Sequence, residues 1–175
     1  MPKLKSFTVK LKVPFTDTGL EGTWAPDDDE RRAAWELYVE LITRIAVVAL
    51  KSDEGLLREA MASLHSLFDI TREILRDHGP GVAQPKEGGS QSFGTIAVAV
   101  LNVVIRPFLA RWHPLLTDWE AGRASDVSVT EHEAAWEDNA KVRAELREVQ
   151  KVLDQYAKLL ARVAGVPALK PQQRK

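Results

Sequence analysis

The sequence predicts a mainly α-helical protein, an up-down-up-down four-helix bundle with a bent third helix and an N-terminal β-strand or hairpin arm. Three observations predict it. Apolar residues recur at spacings of three and four through four long stretches, as they do on helices that bury one stripe against their neighbours. The connections between those stretches are mostly short, which sets consecutive helices side by side and antiparallel. Ahead of them, residues 5–15 alternate polar and apolar, the period of a half-buried strand. No internal repeat or long linker divides the 175 residues. One helical core is therefore expected, with a β-arm over residues 1–26, the bundle over 27–165 and a basic flexible tail over 166–175.

In the arm, "KSFTVKLKVPF" places Phe7, Val9, Leu11, Val13 and Phe15 at every second position, with Lys10 and Lys12 on the other face. "TDTG" reads as a turn and "LEGTW" as a short return strand. The first helix is expected from about Asp28 to Lys51, capped by Asp27 with Glu30 as its capping-box partner. Ser52 and Asp53 offer a turn and a new cap. The second helix carries Leu57, Met61, Leu64, Phe68, Thr71 and Leu75 on one face, until Gly79 and Pro80 end it. "PGVAQPKEGGSQS" has no periodicity and is a loop.

The third helix opens near Ser92. Its stripe of Leu101, Ile105, Phe108, Trp112, Leu115 and Trp119 continues through Pro107 and Pro114, which favours one bent helix over a break at Arg106. Pro107 cannot donate to the carbonyl of Val103, and its ring pushes that carbonyl aside. In the fourth helix Thr130 and Glu133 have capping-box spacing, and a four-three seam runs from Ala135 through Val142, Leu146, Val149, Leu153, Tyr156 and Leu160 to Val163. Gly165 and Pro167 stop it.

Several function classes are excluded by composition. With no cysteine, there is no disulfide, thiolate metal site or cysteine nucleophile. The near balance of 24 basic and 25 acidic residues, net −1, argues against a nucleic-acid partner. "MPKLKSFTVKLKV" lacks the apolar core of a signal peptide, so a cytoplasmic location is expected, and the abundant Ala, Arg, Leu and Val suit a bacterial source. No histidine is preceded by glutamate at the Glu-x-x-His spacing of di-iron bundles. "GPGVAQPKEGG" lacks the Gly-Lys-Ser/Thr ending of a phosphate loop, and no Gly-x-Ser-x-Gly elbow occurs. No metal and no cofactor are expected. "EHE" at Glu131–Glu133 reads as negative charge at a helix N-terminus.

One polar stripe on the third helix stands out: Asn102, Arg106, His113 and Glu120. The favoured reading is a closed polar seam in which Arg106 pairs with a carboxylate of the first or second helix, Glu36, Glu40, Asp69 or Glu73. The competing reading is a small carboxylate- or metal-dependent hydrolase, with Glu36, Glu40, Asp69, Arg106 and His113 meeting between helices.

Two features exceed what a lone bundle needs. "FGTIAVAVLNVVI", Phe93 to Ile105, is apolar almost all round and must be covered all round. Thirteen residues make only about 20 Å of helix, short of a bilayer core of about 30 Å, so a membrane is not the expected cover. An 11-residue strand over 5–15, in turn, outruns "LEGTW" and needs another edge or another chain. Together they predict a non-enzymatic assembly or adaptor protein, an oligomer or an accessory subunit of a bacterial complex in defence or signalling. Its partner is a second copy or a larger protein, with Phe7, Val9, Leu11, Val13, Trp112 and Trp119 at the interface. A membrane-surface role through residues 93–105 is the remaining alternative.

Overall fold

The computed structural model describes residues 5–44, 51 and 54–169. It is mainly helical with a small antiparallel hairpin at the N-terminus. The order is β1 (Phe7–Lys12), β2 (Gly19–Trp24), α1 (Asp28–Ile42), α2 (Leu57–His78), α3 (Phe93–Ala121), α4 (Val129–Ala134) and α5 (Asn139–Ala164).

The strand is half as long as its alternation suggests. β1 stops at Lys12 because Pro14 has no donor for a ladder. Phe15 then takes φ +63° at the turn, its ring 59% exposed. Thus shortened, β1 pairs with β2 over its whole length, from Phe7 opposite Trp24 to Lys12 opposite Gly19. Gln91 adds a bridge to the outer edge of β2, its N–H donating to the Thr23 carbonyl at 2.7 Å. The expectation of a strand left without a partner is corrected: one chain supplies both. Phe7, Val9, Leu11 and Val13 are all buried, with β1 packed on α5.

α1 begins as its sequence dictates. Asp27 accepts from the Glu30 N–H, and Glu30 returns a bond to the Asp27 N–H. It ends at Ile42, nine residues before the expected stop. Residues 45–50, which would have continued it, and the proposed cap at Ser52 and Asp53 lie outside the described residues. α2 has no local cap. Its first N–H, that of Leu57, donates instead to the Glu133 carboxylate at 2.8 Å, 76 positions along the chain. Such a partner is invisible to spacing rules, which look only at adjacent residues.

α3 opens with Ser92 as its cap, accepting from the Thr95 N–H, and runs unbroken through both prolines. The defect at Pro107 is absorbed upstream by a π-helical turn, Val100–Ile105, in which the Arg106 N–H reaches back five residues to the Leu101 carbonyl. The wider turn lets the carbonyls ahead of a proline find donors one residue later. Leu101, Ile105, Phe108 and Trp112 are buried as the stripe requires, but beyond Pro114 the buried position is Leu116, and Leu115 is exposed. Most of the apolar segment 93–105 is covered by the chain itself, while Val98 and Val103 remain exposed. α3 has the length and apolarity to cross a membrane, yet more than half of its most apolar stretch is buried inside the molecule, as in the core helix of a globular fold.

The predicted fourth helix is two helices. The capping box is two residues earlier, Ser128 with Glu131, and the chain leaves helical geometry between Ala134 and Asn139. α5 is 26 residues long and buries Val142, Leu146, Val149, Leu153, Tyr156, Leu160 and Val163 as one seam. The core is one cluster that takes side chains from the hairpin and every long helix.

Candidate functional site

α2 turns one face toward the second half of α3. Along that face Arg58, Ala62, His65, Asp69 and Arg72 follow one another at three- and four-residue steps, and Arg106, Ala110 and His113 do the same opposite them. The small side chains of Ala62 and Ala110 leave space between the two rows. The result is an open groove of about 670 Å³, floored by Met61, Phe68 and Leu109 and bounded by Pro114.

The charges in the groove are unevenly matched. Arg58 forks onto Glu120, its Nη2 2.6 Å from Oε2, and also donates to Thr117 Oγ1. Arg72 pairs with Asp69 at the rim. Arg106 has no carboxylate among the described residues. Its Nε donates to Asn102 Oδ1 at 3.0 Å, and its guanidinium sits 4.9 Å from the centre of the Phe68 ring. An arginine held over an aromatic face keeps its outer N–H groups available. Ser66 is tied to Arg44, which is itself bound to Glu40. The His65 and His113 rings line the groove with no polar side-chain partner among the described residues. Once the two internal pairs are counted, Arg106 is a full positive charge in the groove without an acidic partner, beside two imidazoles.

This geometry corrects the expected closed seam. Arg106 and His113 do lie together, and Asp69 is near them, but they line an open groove and Arg106 pairs with none of the four carboxylates considered. It also divides the constellation proposed for a hydrolase. Glu36 and Glu40 line a different groove, about 390 Å³, between α1 and α2. There Glu36 Oε1 accepts from His78 Nε2 at 2.9 Å, and Glu40 holds Arg44. Among the described residues no group of three His, Asp or Glu side chains is placed to hold a metal ion.

The six residues expected at an interface are placed inside the fold. Phe7, Val9 and Leu11 on β1 belong to the core, and Val13, just past its end, is buried. Trp112 is buried, its Nε1 donating to Glu145 Oε2 at 2.6 Å and its ring edge-on to Trp136. Trp119 is half-buried, stacked 4.7 Å from His132, and its Nε1 donates to the His132 carbonyl. These two tryptophans fasten α3 to α4 and α5. Arg58, His65 and Arg72 were not singled out from the sequence as a cationic face. The signal was present in their three- and four-residue steps, but no spacing says that they face Arg106 across a gap.

Compared with protein-family models, curated proteins and solved structures, the chain matches none. The groove therefore has to be read from its own chemistry.

Proposed function

We propose that this protein is a non-enzymatic binding or adaptor protein that docks an acidic, partly apolar segment of a partner protein in the groove between α2 and α3. In this reading the helices stand in the up-down-up-down bundle arrangement and act as a rigid frame for that face. One observation carries the reading: Arg106, pre-positioned by Asn102 and Phe68, has no acidic partner among the described residues in an open groove with an apolar floor. A carboxylate entering there would gain a charge-assisted fork, and a neighbouring leucine or aromatic ring could cover Phe68 and Leu109.

The test is a titration with a fluorescent helical peptide that carries glutamates and leucines at i, i+4 spacing. Binding is expected to weaken as salt rises, because the groove attracts by charge. R106E should weaken it at least about tenfold, since a repulsive pair replaces an attractive one. Binding that is absent up to near-millimolar peptide, or unchanged in R106E, overturns the proposal.

A further inference from the structure

We infer that the acidic face between α1 and α2 is the mate of the cationic groove on a second copy of this chain, so that copies join head to tail. The inference rests on the docking role proposed for the cationic groove and names its occupant. The acidic groove is built from the same kinds of parts with the signs reversed. Trp35, Val39, Ile70 and Ile74 supply its apolar surface, and Glu36, Glu40, Glu73 and Asp77 its charge. Glu36 and Glu40 are engaged by His78 and Arg44. Glu73 and Asp77 have no ion-pair partner among the described residues, and both are exposed. They are the complement of Arg106 on the other face.

Trp35 supplies the anchor. It is the exposed tryptophan of the described chain, 42% accessible, and it leans on Tyr38 at 6.0 Å. A large exposed ring flanked by acids suits a groove with an apolar floor and a guanidinium beside it. Net charge is nearly zero, so opposite patches on one molecule are not opposed by overall repulsion between copies. Both faces include α2 but use different residues, so the contact is heterologous. Each joined pair keeps one free face of each sign, and growth leads to a ring or an open chain, not to a two-fold dimer.

The architecture permits a decisive mixing experiment. R106E disables the cationic face and E73K/D77K the acidic one; all three positions are exposed, and unchanged thermal melts would confirm folding. Wild type should show a mass above the monomer in sedimentation at about 50 mM salt and fall toward the monomer at about 500 mM. Each variant alone should be monomeric over the same concentrations. An equimolar mixture should assemble again, because one junction is unaltered and the other sets the R106E groove against the E73K/D77K face with the signs exchanged. A wild type that stays monomeric at low salt, variants that still assemble, or a mixture that stays monomeric overturns the inference. The acidic peptide titrated into E73K/D77K separates the two ideas. Binding there without self-assembly of wild type leaves the groove's docking role standing and removes only the second copy as occupant.

Discussion

Glu30 is the residue on which most of the N-terminal half converges. It was legible as a capping-box glutamate, and it does cap α1, but its side chain is fully buried. Oε1 accepts from Trp24 Nε1 and from the Phe93 N–H, and Oε2 accepts from the Asp27 N–H and lies 2.7 Å from Lys86 Nζ. One carboxylate thus joins β2, α1, the 80s loop and the start of α3. E30Q would put an amide N–H₂ against one of these donor pairs and is expected to cost about 3 kcal/mol in denaturant unfolding. K86M should cost less, because three N–H donors still satisfy the acid. For Asp27, burial works to raise the carboxyl, but the bonds from Lys86 and the backbone outweigh it and hold it below its ordinary value. A depressed folded value stabilises above the unfolded one, and that contribution is lost as pH falls through the acid range. Lys86 mirrors it. Burial works to lower it, while Asp27 and Glu30 raise it, so its contribution holds below its ordinary value and fades only at strongly alkaline pH. K86M should therefore flatten both ends of the stability profile. Tyr156 presents the opposite case: its buried hydroxyl has no partner among the described residues, and burial pushes its phenol well above its usual range. Y156F removes an unsatisfied polar atom and should stabilise the protein by about 1 kcal/mol near neutral pH. Because burial opposes ionisation of the phenol, the fold loses stability once pH rises past the ordinary value of 10.0, where the unfolded chain ionises. Loss of stability above that pH should be smaller in Y156F.

Among the elements, α3 shows how local rules and packing divide the work. Its stripe, its Ser92 cap and its passage through two prolines follow from spacing. The π turn answers to Pro107, but where it falls decides which residues of the second half meet α2. At the other end, Gly94 lies against the short turn Pro80–Ala83: a Cβ there would come within 2.6 Å of the Ala83 Cβ and 3.0 Å of its Cα. Glycine to alanine within a helix ordinarily stabilises by up to about 1 kcal/mol. Here G94A should instead destabilise by about 1–3 kcal/mol, because the obstacle includes backbone and the site is closely packed. A thermal melt shifted upward would show that this turn moves aside freely. The fourth predicted helix failed in a related way. Thr130 and Glu133 have capping spacing, yet Ser128 takes the cap, and Glu133 turns inward to Leu57 and Arg143.

Across the whole molecule, the hairpin is core, not an appendage. Trp24 is fully buried, and β1 lays three apolar side chains, Phe7, Val9 and Leu11, into the common cluster. Deletion of residues 1–24 should abolish cooperative unfolding, not release a folded monomer, because it strips that face from α5 and leaves Glu30 without the Trp24 donor. Cooperative melting of the truncated chain near the wild-type temperature would contradict this. The electrostatic pattern belongs to this scale too. Nearly balanced charge hides a cationic face and an acidic face that share α2, and it is their separation that the charge-reversal mixture probes.

The amino-acid order alone determined that the chain is helical with a strand-forming N-terminus, where α1 and α3 begin, and which side of α2 and α5 is apolar. Those features rest on periodicity and on bonds between residues a few positions apart. Tertiary structure decided what covers the apolar excess, whether Arg106 meets an acid, and that Glu36 and Glu40 face one groove while His113 faces another. Each of these depends on which helix faces lie opposite one another. That is settled by contacts between residues tens of positions apart, such as Glu133 with Leu57, which no repeating spacing encodes.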